Sequence, residues 1–137
     1  MEEVLVSGLS RGELKTHVAN GKIIRIGRGI YTWREPTPME VARILHKRWP
    51  GIMLAGSSAV QLYSKKEMTF PLKFAYKHVV SGSQLFEVER TRQKTRFTFE
   101  GIPVQNPLLA AAAVDDDQAV TMLETRYQNR RGKQALE

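Results

Sequence analysis

The chain has 137 residues, 42% hydrophobic and 26% charged, with ten glycines and six prolines; this fits one globular domain or two small units and excludes a mostly disordered chain. Lysine and arginine number 21 against 14 acidic residues, a formal charge of +7, and that surplus favours a polyanionic partner. The absence of cysteine excludes disulfide scaffolds, iron–sulfur clusters, thiol catalysis and cysteine-ligated zinc.

From the N-terminus, the first element opens at Ser10. Ser10-Arg11-Gly12-Glu13 is a capping box, in which each end residue satisfies a backbone N–H of the other. It predicts a helix of about nine residues, ended by Asn20-Gly21, both tolerant of the left-handed conformation. Leu14 and Val18 fall on its inward face; Gly12, Thr16 and Ala19 point outward, with Lys15 beside them. Lys22 to Ile26 predicts a strand, Gly27-Arg28-Gly29 a turn, and Ile30 to Trp33 a second strand. The polar, proline-bearing stretch Arg34 to Pro38 is the best internal boundary, dividing 1–35 from 36–137.

Thr37-Pro38 starts a second helix, with Val41, Ile44, Leu45 and Trp49 on one face and Arg43, Lys47 and Arg48 elsewhere. Pro50-Gly51 stops it, and the short apolar run Ile52-Met53-Leu54 follows. Ser57 or Ser58 is expected to cap a helix through Ala59, Val60, Leu62 and Tyr63. Residues 72–76, 85–89 and 96–99 then suit strands, with a turn at Ser81-Gly82-Ser83. Gly101 to Val104 reads as an edge strand, because Pro103 cannot donate to a ladder. Pro107 opens an alanine-rich helix ending near Val114; Asp115-Asp116-Asp117-Gln118 starts a last helix through Met122, Leu123 and Tyr127, and Arg126 to Lys133 is a basic tail. The expected class is α+β: a winged helix-turn-helix-like N-terminal unit followed by a mixed α/β half with an antiparallel sheet.

A helix running into a hairpin with an arginine at its tip is how a winged helix-turn-helix ends. The helix of such a motif lies in the major groove, and the wing lies over neighbouring phosphates or the minor groove. The small outward residues let the helix backbone approach DNA closely. Arg11, Lys15 and Thr16 on the helix, and Lys22, Arg25 and Arg28 on the wing, are the candidate DNA-binding residues. The plainer alternative is an ordinary helix and hairpin in a basic protein.

Three stretches resemble one family. Gly8-Leu9-Ser10-Arg11 to Leu14, with Asn20-Gly21-Lys22 to Tyr31, is similar to the first motif of AbiEi-type antitoxins of type IV toxin–antitoxin (abortive-infection) systems. Ala55-Gly56-Ser57-Ser58-Ala59-Val60-Gln61-Leu62-Tyr63 resembles the family's Ser-Ala helix, and Gly101 to Pro107 its later Gly-Ile-Pro-Val step. The matches lie in the family's order and cover most of the chain. The resemblance implies a winged helix-turn-helix that binds double-stranded operator repeats and represses its own operon. It also implies a second domain that opposes a nucleotidyltransferase-like toxin. Ser10 to Asn20 would be the recognition helix and Lys22 to Trp33 the wing. Two departures stand out. Nine residues precede Ser10, too few for the two helices that usually come first, so a truncated or reduced motif is expected. The chain also ends soon after the alanine-rich helix, and Leu136-Glu137 has the form of a cloning remnant, so a piece of a longer protein is expected.

Signals for catalysis are weak. Glu87 and Glu89 share a strand face, as in some metal-dependent nucleases, but no further acid stands clearly opposite. Asp115 to Asp117 is explained by the helix dipole. His17, His46 and His78 lack metal-ligand spacing. Gly27-x-Gly29 precedes no helix, so it is not a phosphate loop. Lys65, Lys66, Lys73, Lys77, Arg90, Arg92, Lys94 and Arg96 form either a second basic surface or the solvated face of a sheet. No apolar run approaches the ~20 residues of a membrane span, and the acidic Met1-Glu2-Glu3-Val4 is unlike a signal peptide. The expectation is a cytoplasmic DNA-binding repressor and antitoxin with no catalysis, cofactor, metal or membrane contact; a homodimer would suit palindromic operators. The alternatives are a protein-interaction module that neutralises a toxin without binding DNA, and a small nuclease using Glu87 and Glu89.

Overall fold

The computed structural model describes residues 9–114. The expected last helix from Asp115, the basic tail from Arg126 and Gly8 of the first motif lie outside the described residues. In chain order the elements are α1 (Arg11–Ala19), β1 (Ile24–Gly27), β2 (Ile30–Thr32), α2 (Pro38–Arg48), β3 (Met53–Leu54), α3 (Gly56–Tyr63), β4 (Leu72–Tyr76), β5 (Phe86–Arg90), β6 (Phe97–Phe99), β7 (Ile102–Val104) and α4 (Pro107–Ala113).

The class is α+β, as expected. β1 and β2 form an antiparallel hairpin, with Ile24 opposite Thr32 and Arg25 opposite Tyr31. The other five strands form one sheet in the order β5-β4-β3-β7-β6. That sheet is mixed: β3–β4 and β6–β7 run antiparallel, whereas β4–β5 and β3–β7 run parallel. β7 is therefore an interior strand and not the expected edge. Its proline is tolerated because β6 pairs through Ile102 and Val104, and Pro103 faces the short β3. There a single partner position, Leu54 with Val104, is reinforced by the Gln105 N–H donating to the Leu54 carbonyl at 2.8 Å.

The apolar run Ile52-Met53-Leu54 supplies a sheet strand, β3. One other local expectation changes. Neither Ser57 nor Ser58 caps α3, whose N-cap is Ala55 with no side-chain bond. The buried Ser58 hydroxyl instead accepts from the Lys73 N–H at 2.8 Å, tying α3 to β4.

The core joins both halves of the chain. Val41, Ala42 and Leu45 of α2 are buried with Ile26 and Ile30 of the hairpin, and with Leu54, Leu72, Phe74, Phe86, Ile102 and Val104 of the sheet. Ile44 and Trp49, on the same expected face of α2, are half-buried against this core. The hairpin is thus seated on the sheet across the proline-bearing stretch at 34–38. Ser83, between β4 and β5, donates its hydroxyl to the Ile26 carbonyl at 2.6 Å. Gly27 lies so close to Phe86 that a Cβ there would meet the ring at 2.9 Å.

α2 begins with a capping box. The Thr37 hydroxyl accepts from the Glu40 N–H at 3.2 Å, and Glu40 accepts from the Thr37 N–H at 2.9 Å. Arg34 donates to both Glu40 oxygens, at 2.9 and 2.6 Å. Arg34 first, and then the Thr37 backbone, hold the Glu40 carboxyl at about 2, down from 4.5. A carboxyl depressed on folding stabilises the fold above its unfolded value and loses that contribution as pH falls through the folded one. Wild type is therefore expected to be more stable than Glu40→Gln at neutral pH. The gap should close between pH 4.5 and about 2. Urea midpoints of both proteins measured across that window check this; a constant gap would remove the charge from the explanation.

Candidate nucleic-acid interface

α1 is set by its first turn. The Ser10 hydroxyl accepts from the Glu13 N–H at 3.1 Å, and the Glu13 carboxylate accepts from the Ser10 N–H at 2.8 Å. These bonds, the backbone one foremost, hold the Glu13 carboxyl below its ordinary value. The helix ends by turning straight into the hairpin: the His17 carbonyl accepts from both Lys22 N–H, at 2.9 Å, and Ile23 N–H, at 3.2 Å. Ile23 is buried at this corner. A second link lies at the same open base of the hairpin, where Trp33 follows Thr32, the partner of Ile24, and the His17 and Trp33 rings sit 5.3 Å apart, tilted by 60°. Helix and hairpin are therefore joined both through the chain and through an aromatic contact.

All six candidate residues are exposed: Arg11, Lys15 and Thr16 on α1, Lys22 after it, Arg25 on β1 and Arg28 in the turn. Arg11 and Lys15 are four apart and share a helix face. Gly12, Thr16 and Ala19 are also exposed, as the helical projection predicts. Leu14 and Val18 are half-buried, and no residue of α1 is fully buried. On β1, Arg25 points away from its core-facing neighbour Ile26. The Arg25 Nε donates to the Gly27 carbonyl at 3.2 Å, which bends the guanidinium toward the turn. Arg28 sits in that turn, which Gly29 allows with a φ of +75°. Among the described residues, none of the five cations enters an ion pair. Arg34, Arg43 and Lys73 do, with Glu40, Glu100 and Glu87.

The sequence reading missed the His17–Trp33 contact. The two residues are 16 apart in different element types, so no periodicity links them. It also gave no role to Arg34, which braces the α2 capping box.

The alternative sites fare differently. Glu87 and Glu89 do share a face of β5, but Glu87 is paired with Lys73 on β4 and Glu89 lies opposite Ala75. Among the described residues, no group of three or more histidines or acids is placed to hold a metal ion. Asp115 to Asp117 lies outside them. His17 and His46 each have a buried Nδ1 without a partner among the described residues, and His78 is exposed beside Tyr76. In the second half Lys65, Lys66, Lys77, Arg90, Arg92, Lys94 and Arg96 are exposed, and Lys73 is half-buried. No helix among the described residues is long and apolar enough to cross a membrane. No family model, curated protein or solved structure matches the chain.

Proposed function

We propose that this protein is a cytoplasmic DNA-binding repressor that grips duplex operator DNA with α1 and the β1–β2 hairpin. The observation that carries the reading is five exposed cations, none in an ion pair among the described residues, on a helix and on the hairpin whose base it is tied to by backbone bonds and a ring contact. The outward face of α1 offers Gly12, Thr16 and Ala19, small enough for the helix to approach base edges in the major groove. Arg11 and Lys15 contact phosphates or bases from the same helix. Lys22, Arg25 and Arg28 track the backbone alongside, and such contacts set position more than sequence. An antitoxin role against a nucleotidyltransferase-like toxin is supported by the three sequence motifs and belongs to the same proposal.

Arg28→Ala is the direct test of the wing. It is expected to weaken binding to the operator and to unrelated duplexes by similar factors, on the order of threefold to tenfold. Gel-shift titrations on both duplexes measure this. Unchanged affinity for either one would remove Arg28 from the interface.

A further inference from the structure

A second surface has a different chemistry. A groove of about 510 Å³ lies between the segment after β2 and the outer face of α2. Trp33, Pro36 and Ile44 line it with apolar surface, and Arg34, Arg43 and Lys47 add charge. Trp33 is 46% exposed although it is among the largest apolar side chains in the protein. A concave apolar surface edged by a few polar groups is the usual form of a recognition site.

The charges select the occupant. Glu40 holds Arg34 at 2.6 Å, and Glu100 holds Arg43 at 2.7 Å. Lys47 is the lining cation without an ion pair among the described residues. Three cations against two carboxylates leave one positive charge, too little for a polyanion track. On the α1–hairpin surface, by contrast, none of the five cations enters an ion pair among the described residues. A guanidinium has five N–H donors; Glu40 takes two of those on Arg34 and Glu100 one on Arg43. Donors remain for one further carboxylate beside an apolar body.

We propose that this groove binds an apolar, mildly acidic peptide segment of a partner protein. Its apolar side chains cover Trp33 and Ile44, and its carboxylate meets Lys47 and the remaining donors of Arg34 and Arg43. The proposal uses none of the five cations assigned to DNA and stands apart from that reading.

The test uses the full chain and fluorescently labelled peptides of about ten residues in three sets: apolar with acids, apolar with lysines, and polar with acids. The apolar acidic set should bind, and the other two should bind at least about tenfold more weakly. Lys47→Glu, at an exposed position, and Ile44→Asp should each weaken the apolar acidic set by about tenfold or more. Both variants should hold duplex DNA as wild type does. The proposal is overturned if no set binds, if the apolar lysine set binds equally well, or if Lys47→Glu changes nothing. A DNA duplex that displaces the peptides would also overturn it, by assigning the groove to nucleic acid.

Discussion

Phe86→Ala is expected to destabilise the fold by about 3–5 kcal/mol, the cost typical of emptying a buried aromatic position. Phe86 is 1% exposed and meets Phe74 edge to face, with centroids 6.2 Å apart. Its ring also lies against Gly27, so it is the point where the sheet receives the hairpin. The cavity would open between two parts of one core, and the neighbours are poorly able to close it. Gly27 has no side chain, and Phe74 is pinned in β4 between β3 and β5. Domains are stable by only about 5–15 kcal/mol, so the loss is a large share of the total. Urea unfolding gives the number directly. A loss below about 1 kcal/mol would mean that the hairpin is not seated on this ring.

Reversing the two guanidiniums near the wing tip, Arg25→Glu with Arg28→Glu, is expected to reduce duplex binding at low salt by at least about a hundredfold. Each change removes a phosphate contact and adds a repulsive charge. Both residues are exposed and enter no ion pair among the described residues, so the fold has little to lose. The Arg25 side chain bonds within its own strand, to the Gly27 carbonyl. Circular dichroism and urea midpoints near wild type would separate loss of binding from loss of structure. If toxin neutralisation is a separate activity of the chain, it survives in this variant. Near-normal DNA affinity in a folded double variant would remove the hairpin from the proposal.

Local signals were legible where local chemistry decides the outcome. The capping boxes at Ser10–Glu13 and Thr37–Glu40 form as their spacing requires, and β4 spans Leu72–Tyr76 as read. The exposure of Arg11, Lys15 and Thr16 on α1 and of Arg25 on β1 also follows from helical and strand periodicity. What depends on pairing across the chain was not legible. Pro103 suggests an edge, but it is interior because β3 is only two residues long and asks little of its neighbour. Ser58 has the composition of a cap, yet its hydroxyl is taken by the Lys73 N–H 15 residues away. The parallel pairing of β4 and β5 is set by the core and by Ser83 reaching Ile26, which no local pattern reports. The proline-bearing stretch at 34–38 resembles a linker, but Ile26 and Ile30 before it and Val41 and Leu45 after it belong to one core.

The measurement closest to the proposed function is an anisotropy titration of the wild-type chain with duplex DNA from upstream of its own gene, repeated at several salt concentrations. If Arg11, Lys15, Lys22, Arg25 and Arg28 meet phosphates, log affinity falls linearly with log salt, with a slope of roughly −3 to −4.5. A slope near zero, or no complex even at the lowest salt, would contradict a duplex-gripping surface built from this helix and hairpin.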